Sequence, residues 1–135
     1  MLTRTSSHAL LWLTLSCVIA SASPPCAAEV QQPEAKSIAW MNDFEAALKQ
    51  AAADGKKVMA DLYTDWCRFC KVLETTTYVD PRVVEASRAF VNVKVDGDRS
   101  PELMRRYSVT GFPSILFLDS DGRVIYRVTG YQPPE

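Results

Sequence analysis

Two cysteines, Cys67 and Cys70, are separated by two residues in the stretch DLYTDWCRFCK, between a short apolar run and a helix-forming segment. At a helix N-terminus, unpaired backbone N–H groups and the helix dipole stabilise an anion. The thiol of the first cysteine there has a lowered pKa and becomes the attacking thiolate. The second sulfur, one turn further along, can attack the resulting mixed disulfide and release the partner. The pattern therefore predicts a redox pair with Cys67 as nucleophile and Cys70 as resolving thiol.

Metal binding and a structural disulfide are the alternatives for this pair. Zinc sites take four ligands, usually from two such pairs or from added histidines. The sole histidine, His8, lies near the N-terminus, and the chain has no second Cys-x-x-Cys pair. Two thiolates can hold Cu(I), so a copper-carrying module stays open as an alternative. A disulfide across two residues restrains little, because its effect grows with loop length. We favour redox chemistry and expect no metal and no cofactor.

The N-terminal residues 1–28 are predicted to be a secretory signal peptide. Arg4 precedes the apolar run Ala9–Ala20, which is shorter than the about 20 residues that a membrane-spanning helix needs. Small residues then allow cleavage after Ala22 or after Ala28. We therefore expect export to the periplasm, an oxidising compartment in which a disulfide can persist.

Cleavage changes which cysteines remain in the mature protein. Cys17 leaves with the signal, whereas Cys26 leaves or stays depending on the cut, so Cys67 and Cys70 are the two that certainly remain. The chain of 135 residues has room for one domain. Its net charge is -1 and its basic residues are spread out, so we expect no nucleic-acid partner. We also expect a monomer.

Hydrophobic periodicity and capping residues predict a mixed α/β domain over residues 38–135, after a polar lead-in at 29–37. An early strand–helix–strand unit implies parallel pairing, and a late hairpin supplies antiparallel strands, so a mixed sheet flanked by helices follows. The predicted elements are a helix from Asn42 to Gly55, a strand at Lys57–Tyr63, a helix at Cys67–Thr76, a helix after Asp80-Pro81, a strand at Phe90–Asp96, a helix from Ser100 to near Tyr107, and a hairpin of Ser114–Leu118 with the run 123–130.

The final residues QPPE have the pattern of a proline-led helix start. We expect this final helix to be missing because the sequence is a truncated form of a longer one, the alternative being a fold without that helix. If the sequence is truncated, we expect lower stability than in the longer protein, since one face of the sheet would lose its cover.

Pro113 stands at the entrance to the apolar run SILFL, where a proline cannot donate to a strand ladder. A cis peptide bond would explain this placement, because cis prolines occupy tight turns. An ordinary trans proline that opens an edge strand is the alternative.

Three motifs in this order, DLYTDWCRFCK, VKVDGD and YSVTGFPSILFLDSDGRV, resemble the thioredoxin superfamily over nearly all of residues 38–135. More narrowly, DLYTDWCRFCKVLE, DPRVVEA and RVTGY look like the C-terminal periplasmic thioredoxin-like domain of the thiol:disulfide interchange proteins called DsbD. The resemblance implies a thioredoxin fold and a redox-active disulfide between Cys67 and Cys70. It also implies substrate binding by Trp66, by Phe112 and by Pro113 as the cis-proline.

The resemblance assigns two acids to the site. Asp61 matches the buried acid that moves a proton to or from Cys70, and Glu74 matches a second acid of the DsbD-like domain. A solvated charge on a helix face is the alternative for Glu74. Both acids should raise the pKa values of the thiols by like-charge repulsion. Asn92 stands where thioredoxins carry a lysine near the buried acid, which weakens the proton-transfer role of Asp61.

The pair between the cysteines, Arg68-Phe69, differs from the Gly-Pro of thioredoxin and lacks the histidine of strongly oxidising relatives. We therefore expect an exported oxidoreductase that reduces the disulfides of protein partners. A membrane electron donor of the DsbD type would recharge it. An oxidase or isomerase of protein disulfides and a non-catalytic binding module are the alternatives.

Overall fold

Residues 37–134, the part of the chain that the computed structural model describes, contain five strands and four helices. In chain order these are β1 (Trp40–Met41), α1 (Phe44–Asp54), β2 (Lys57–Tyr63), α2 (Arg68–Thr76), α3 (Pro81–Ser87), β3 (Phe90–Asp96), α4 (Pro101–Arg106), β4 (Ser114–Leu118) and β5 (Val124–Thr129). They form one sheet in the order β1-β3-β2-β4-β5. Strands β1, β3 and β2 pair in parallel, and β4 and β5 are antiparallel to their neighbours. The predicted mixed sheet is confirmed.

Strands β2, β3 and β4 have the predicted bounds, whereas the other elements begin or end at different residues. Helix α1 begins one residue later than expected because Asp43, not Asn42, caps it and accepts the Ala46 N–H at 2.9 Å. Strand β1 was not predicted, since two residues give no periodicity. Residues 131–134 form no helix. The predicted signal peptide, and the lead-in as far as residue 36, lie outside the described residues.

Alternation along β2 and β3 gives the sheet two apolar faces. One face packs α1 and the α4 segment against the sheet, and its buried members include Leu48, Val58, Leu62, Val93, Leu116 and Leu118. The other face packs α2 and α3, and its buried members are Ile38, Met59, Leu73, Tyr78, Val84 and Ile115. Asp61 lies on β2 between Ala60 and Leu62 and points to this second face. Within residues 37–134 no helix is long and apolar enough to cross a membrane.

Candidate active site

A disulfide joins Cys67 and Cys70 at the start of α2, with the two Cα atoms 5.3 Å apart. Cys67 is the N-cap residue, and its Sγ accepts the Cys70 N–H at 3.1 Å. The Cys67 N–H in turn donates to the carbonyl of Thr64 at 3.1 Å, which fixes the turn between β2 and the helix. The Cys67 sulfur is therefore held where an unpaired helix N–H and the helix dipole stabilise negative charge.

The rim of the disulfide is aromatic. Trp66 is 69% exposed, and its ring meets Phe112 edge-on, with 5.9 Å between the ring centroids. The indole N–H donates to Asp98 Oδ2 at 2.9 Å, so this exposed side chain is held in one orientation. The Phe112–Pro113 peptide bond is cis, as the resemblance to thioredoxins implied, and Pro113 is fully buried. The structure thus brings Trp66, Phe112 and Pro113 together beside the disulfide loop.

Asp61 is a buried acid on the central strand, with 1% of its surface exposed. Burial raises the pKa of its carboxyl to about 6, and Glu74 adds a small increase. The ammonium of Lys94 opposes this shift. The nearby Tyr78 hydroxyl also lowers the pKa of Asp61, although neither it nor Asp61 Oδ1 makes a hydrogen bond of standard geometry. Burial, and then the charge of Asp61, raise the pKa of Tyr78, so its hydroxyl keeps its proton.

Lys94 lies directly across from Asp61 in the parallel pairing of β2 and β3. Its Nζ is 3.9 Å from Asp61 Oδ2 and forms an ion pair with Glu74. The expectation that Asn92 takes the place of the lysine near the buried acid is wrong. Asn92 pairs with Met59 in the register and donates its side-chain amide to the Ser87 carbonyl at 3.1 Å. A cation therefore does stand beside Asp61.

Glu74 is not an unpaired charge in solvent, and it is not a second acid without a counterion. Its carboxylate is 41% exposed and paired with Lys94. Lys94 thus contacts both acids that were predicted to oppose a thiolate, and it also lies over the ring of Tyr63, with Nζ 4.8 Å from the ring centroid. The repulsion expected from two uncompensated carboxylates is reduced by this shared cation.

Comparison with known proteins agrees with this geometry. Residues 44–135 match the family model described as a thioredoxin-like domain. The chain belongs to the thioredoxin-like family. A thioredoxin from Thermus thermophilus is 32% identical with a TM-score of 0.66, over 73% of this chain and 79% of that one. A putative disulphide-isomerase from Bacteroides thetaiotaomicron is 34% identical with a TM-score of 0.62, over 75% of this chain and 85% of that one.

The chain is also similar to proteins named thiol:disulfide interchange protein DsbD. That of Pseudoalteromonas atlantica is 38% identical over 109 residues, which are 76% of this chain and 18% of the relative. That of Haemophilus ducreyi is 34% identical over 128 residues, 90% of this chain and 21% of the relative. The chain therefore spans about a fifth of the length of these relatives. The predicted resemblance is confirmed: the chain is a thioredoxin-like protein related to DsbD.

Several side chains at this thioredoxin-like site were missed by the sequence analysis. They are Lys94 beside Asp61, Tyr78 behind it, Asp98 on the Trp66 indole and Tyr131 against Phe69. A signal for Lys94 was present, because a lysine inside an otherwise apolar strand needs a partner if its alternation places it on a buried face. Tyr131 is the last residue of the RVTGY motif, but it follows the last strand in a segment without periodicity, so its contact with Phe69 was not predicted.

Replacing Gly97 by alanine is expected to displace the Phe112 ring. An added Cβ would lie 2.3 Å from the ring tip of Phe112, so the ring has to move and loses its edge contact with Trp66. Such overpacking typically costs about 1–3 kcal/mol. Urea unfolding measures the loss of stability, and near-ultraviolet circular dichroism reports the altered aromatic packing.

Gly111→Ala is the matched control for this experiment, because nothing lies within 4 Å of the Cβ it would add. We expect it to unfold at the wild-type urea concentration. If Gly97→Ala matched it in stability and in aromatic circular dichroism, the packing of Phe112 on Gly97 would be refuted.

Proposed function

We propose that the protein is an exported thiol:disulfide oxidoreductase that reduces disulfides of partner proteins. The observation that carries this proposal is the Cys67 sulfur at the N-cap of α2, where it accepts the Cys70 N–H at 3.1 Å. In the reduced protein the same N–H favours a thiolate at Cys67, the nucleophile that disulfide exchange requires.

The reduced protein acts in two steps. The Cys67 thiolate attacks one sulfur of the partner disulfide; that S–S bond breaks, and the released partner sulfur takes up a proton. Cys70 then loses its proton and attacks the Cys67 sulfur of the mixed disulfide. The partner leaves as a dithiol with two electrons gained, and Cys67 and Cys70 are left joined as the disulfide.

Asp61 takes the proton from Cys70 in the second step. A carboxyl with a pKa of about 6 is ionised at pH 7 and close enough to that pH to accept and return a proton. Lys94, in contact with both acids, keeps Asp61 from holding its proton at neutral pH. In this scheme Glu74 affects the pKa of Asp61 indirectly, because both carboxylates contact the ammonium of Lys94.

The surroundings of the two cysteines support the reducing direction. Redox proteins whose thiolate is strongly stabilised are oxidants, because their reduced form is favoured. Here the motif holds no histidine and a buried carboxylate lies behind it, so the thiolate is less favoured. Arg68 and the helix N-terminus oppose this effect only in part.

Export and the electron source complete the proposal. The signal-like residues 1–28 support a periplasmic location, and the related proteins named DsbD support protein disulfides as substrates. A membrane electron donor of the DsbD type would return two electrons to the Cys67–Cys70 disulfide. The protein would act as a monomer.

We expect the reduction potential of Cys67–Cys70 to lie near that of thioredoxin, about -270 mV. Equilibration with glutathione and dithiothreitol buffers measures it, and Cys70→Ala, which cannot form the intramolecular disulfide, gives the baseline. A value near -120 mV would reverse the direction and make the protein an oxidant. If no disulfide formed at any poise, the redox proposal would fail and a Cu(I)-carrying module would take its place.

A further inference from the structure

The segment 130–134, called the strap here, leaves β5 beside the disulfide and is fixed by polar contacts to other parts of the fold. The Gly130 N–H donates to the carbonyl of Pro113 at 2.9 Å. The hydroxyl of Thr77, at the end of α2, donates to the carbonyl of Gln132 at 2.6 Å. The strap therefore runs from the cis-proline to the C-terminal end of the helix that carries both cysteines.

The strap places Tyr131 against Phe69, the residue before Cys70. The two rings stack with centroids 6.5 Å apart and an interplanar angle of 27°. The hydroxyl of Tyr131 lies 3.3 Å from Thr76 Oγ1, which fixes its orientation. Phe69 is nevertheless 58% exposed, so the stacked pair presents apolar surface to solvent next to the disulfide.

Two positively charged residues lie in the same helical turn as Phe69. Arg68 and Lys71, on either side of Phe69 and Cys70 in α2, are both exposed. Within residues 37–134 neither side chain takes part in an ion pair or a side-chain hydrogen bond. The first turn of α2 therefore carries the disulfide, the exposed ring of Phe69 and two cations without a side-chain partner among the described residues.

We propose that this strap face, formed by Phe69 and Tyr131 with Arg68 and Lys71, selects protein partners whose reacting cysteine is flanked by a large apolar residue and an acidic residue. The proposal rests on the proposed function. A partner side chain packed on the stacked rings buries apolar surface and gains aromatic contact. A partner carboxylate beside Arg68 and Lys71 gains charge complementarity, which favours correct encounters over wrong ones.

The test compares peptides whose single cysteine carries a nitrothiobenzoate group, which is released as a coloured thiolate when Cys67 attacks the peptide sulfur. One peptide has leucine and glutamate beside the cysteine, and the other has serine and lysine there. We expect reduced wild-type protein to react faster with the first peptide. Tyr131→Ala should lower the second-order rate constant for the first peptide about fivefold and leave that for the second peptide unchanged.

Tyr126→Ala is the control variant, since Tyr126 is an exposed tyrosine, at 63%, that packs on Phe117 and not on Phe69. The reaction with oxidised glutathione and the reduction potential should be unaltered by Tyr131→Ala, which shows that the disulfide itself is intact. Equal rates with both peptides, or equal loss on both in Tyr131→Ala, would overturn the docking proposal. Failure of wild-type protein to react with any disulfide would instead overturn the proposed function.

Discussion

Replacing Cys70 by alanine is expected to trap partner proteins on Cys67 as mixed disulfides. Without the second thiol, the intermediate is resolved only by external thiols, and turnover should fall by at least about a thousandfold, as for loss of an essential catalytic group. Non-reducing electrophoresis of the exported protein would show higher bands that disappear on treatment with dithiothreitol.

The matched control is Cys67→Ala, which removes the nucleophile and leaves Cys70. That residue is buried, with 3% of its surface exposed in the oxidised protein. We expect it to be inactive and to form none of these bands. If both single variants captured the same partners without a covalent link, the protein would be a binding module and not an enzyme.

Replacing Asp61 by asparagine is expected to stabilise the folded protein at neutral pH. The carboxyl has a pKa of about 6 when folded and 3.8 as the reference value, so the folded state binds its proton more tightly than the unfolded state. Below pH 3.8 the acid is protonated in both states and carries no penalty. As the pH rises from about 4 to about 6, the carboxyl of the unfolded chain loses its proton while the buried carboxyl keeps it, so the stability falls by about 3 kcal/mol.

Asparagine cannot lose a proton, so the advantage of Asp61→Asn should be small at pH 4 and level off above pH 6 to 7. Urea unfolding of the oxidised protein at pH 4, 5.5 and 7.5 measures this difference. Asp65→Asn, at an exposed position in the turn before the disulfide, should show no comparable gain. An advantage of Asp61→Asn that did not change with pH would show that Asp61 is not a buried titrating group.

Asp61→Asn is expected to change stability and catalysis in opposite directions. A more stable but slower enzyme is the expected result, since asparagine cannot accept the proton of Cys70. The rate of resolution of the mixed disulfide should lose its dependence on pH near 6. Lys94 retains its ion pair with Glu74 in this variant, so the local structure keeps one of its two carboxylate contacts.

The sequence predicted correctly those parts of the fold that depend on residues close to one another along the chain. β-Branched and apolar runs bounded by turn residues defined β2, β3 and β4, and Asp80-Pro81 marked the start of α3. The cysteine pair could also be recognised from local sequence, because its proposed chemistry depends on the spacing of the two cysteines and on their position before a helix. The cis bond before Pro113 came from the family resemblance, because a proline at a strand entrance by itself left a trans bond open.

The parts that were missed depend on contacts between distant segments. The lysine that meets Asp61 is set by the register of β2 on β3, and a shift of two residues separates Asn92 from Lys94. Sequence periodicity fixes the face of a strand but not its register. The position of Tyr131 was missed for a related reason. The proline-rich end of the chain was interpreted as a helix start, whereas the hydrogen bonds from Gly130 to Pro113 and from Thr77 to Gln132 determine the path of this segment.

Both cysteine residues are buried, with 5% of Cys67 and 3% of Cys70 exposed, and this affects how the protein exchanges electrons in a mixture of thiols. A small thiol gains little from surface contact, so its exchange is limited by access to a cysteine that is almost covered. A protein that fits the rim brings its own sulfur into line and reacts faster. The pair would thus be kinetically insulated from the surrounding pool of small thiols, with its redox state set by which proteins it meets.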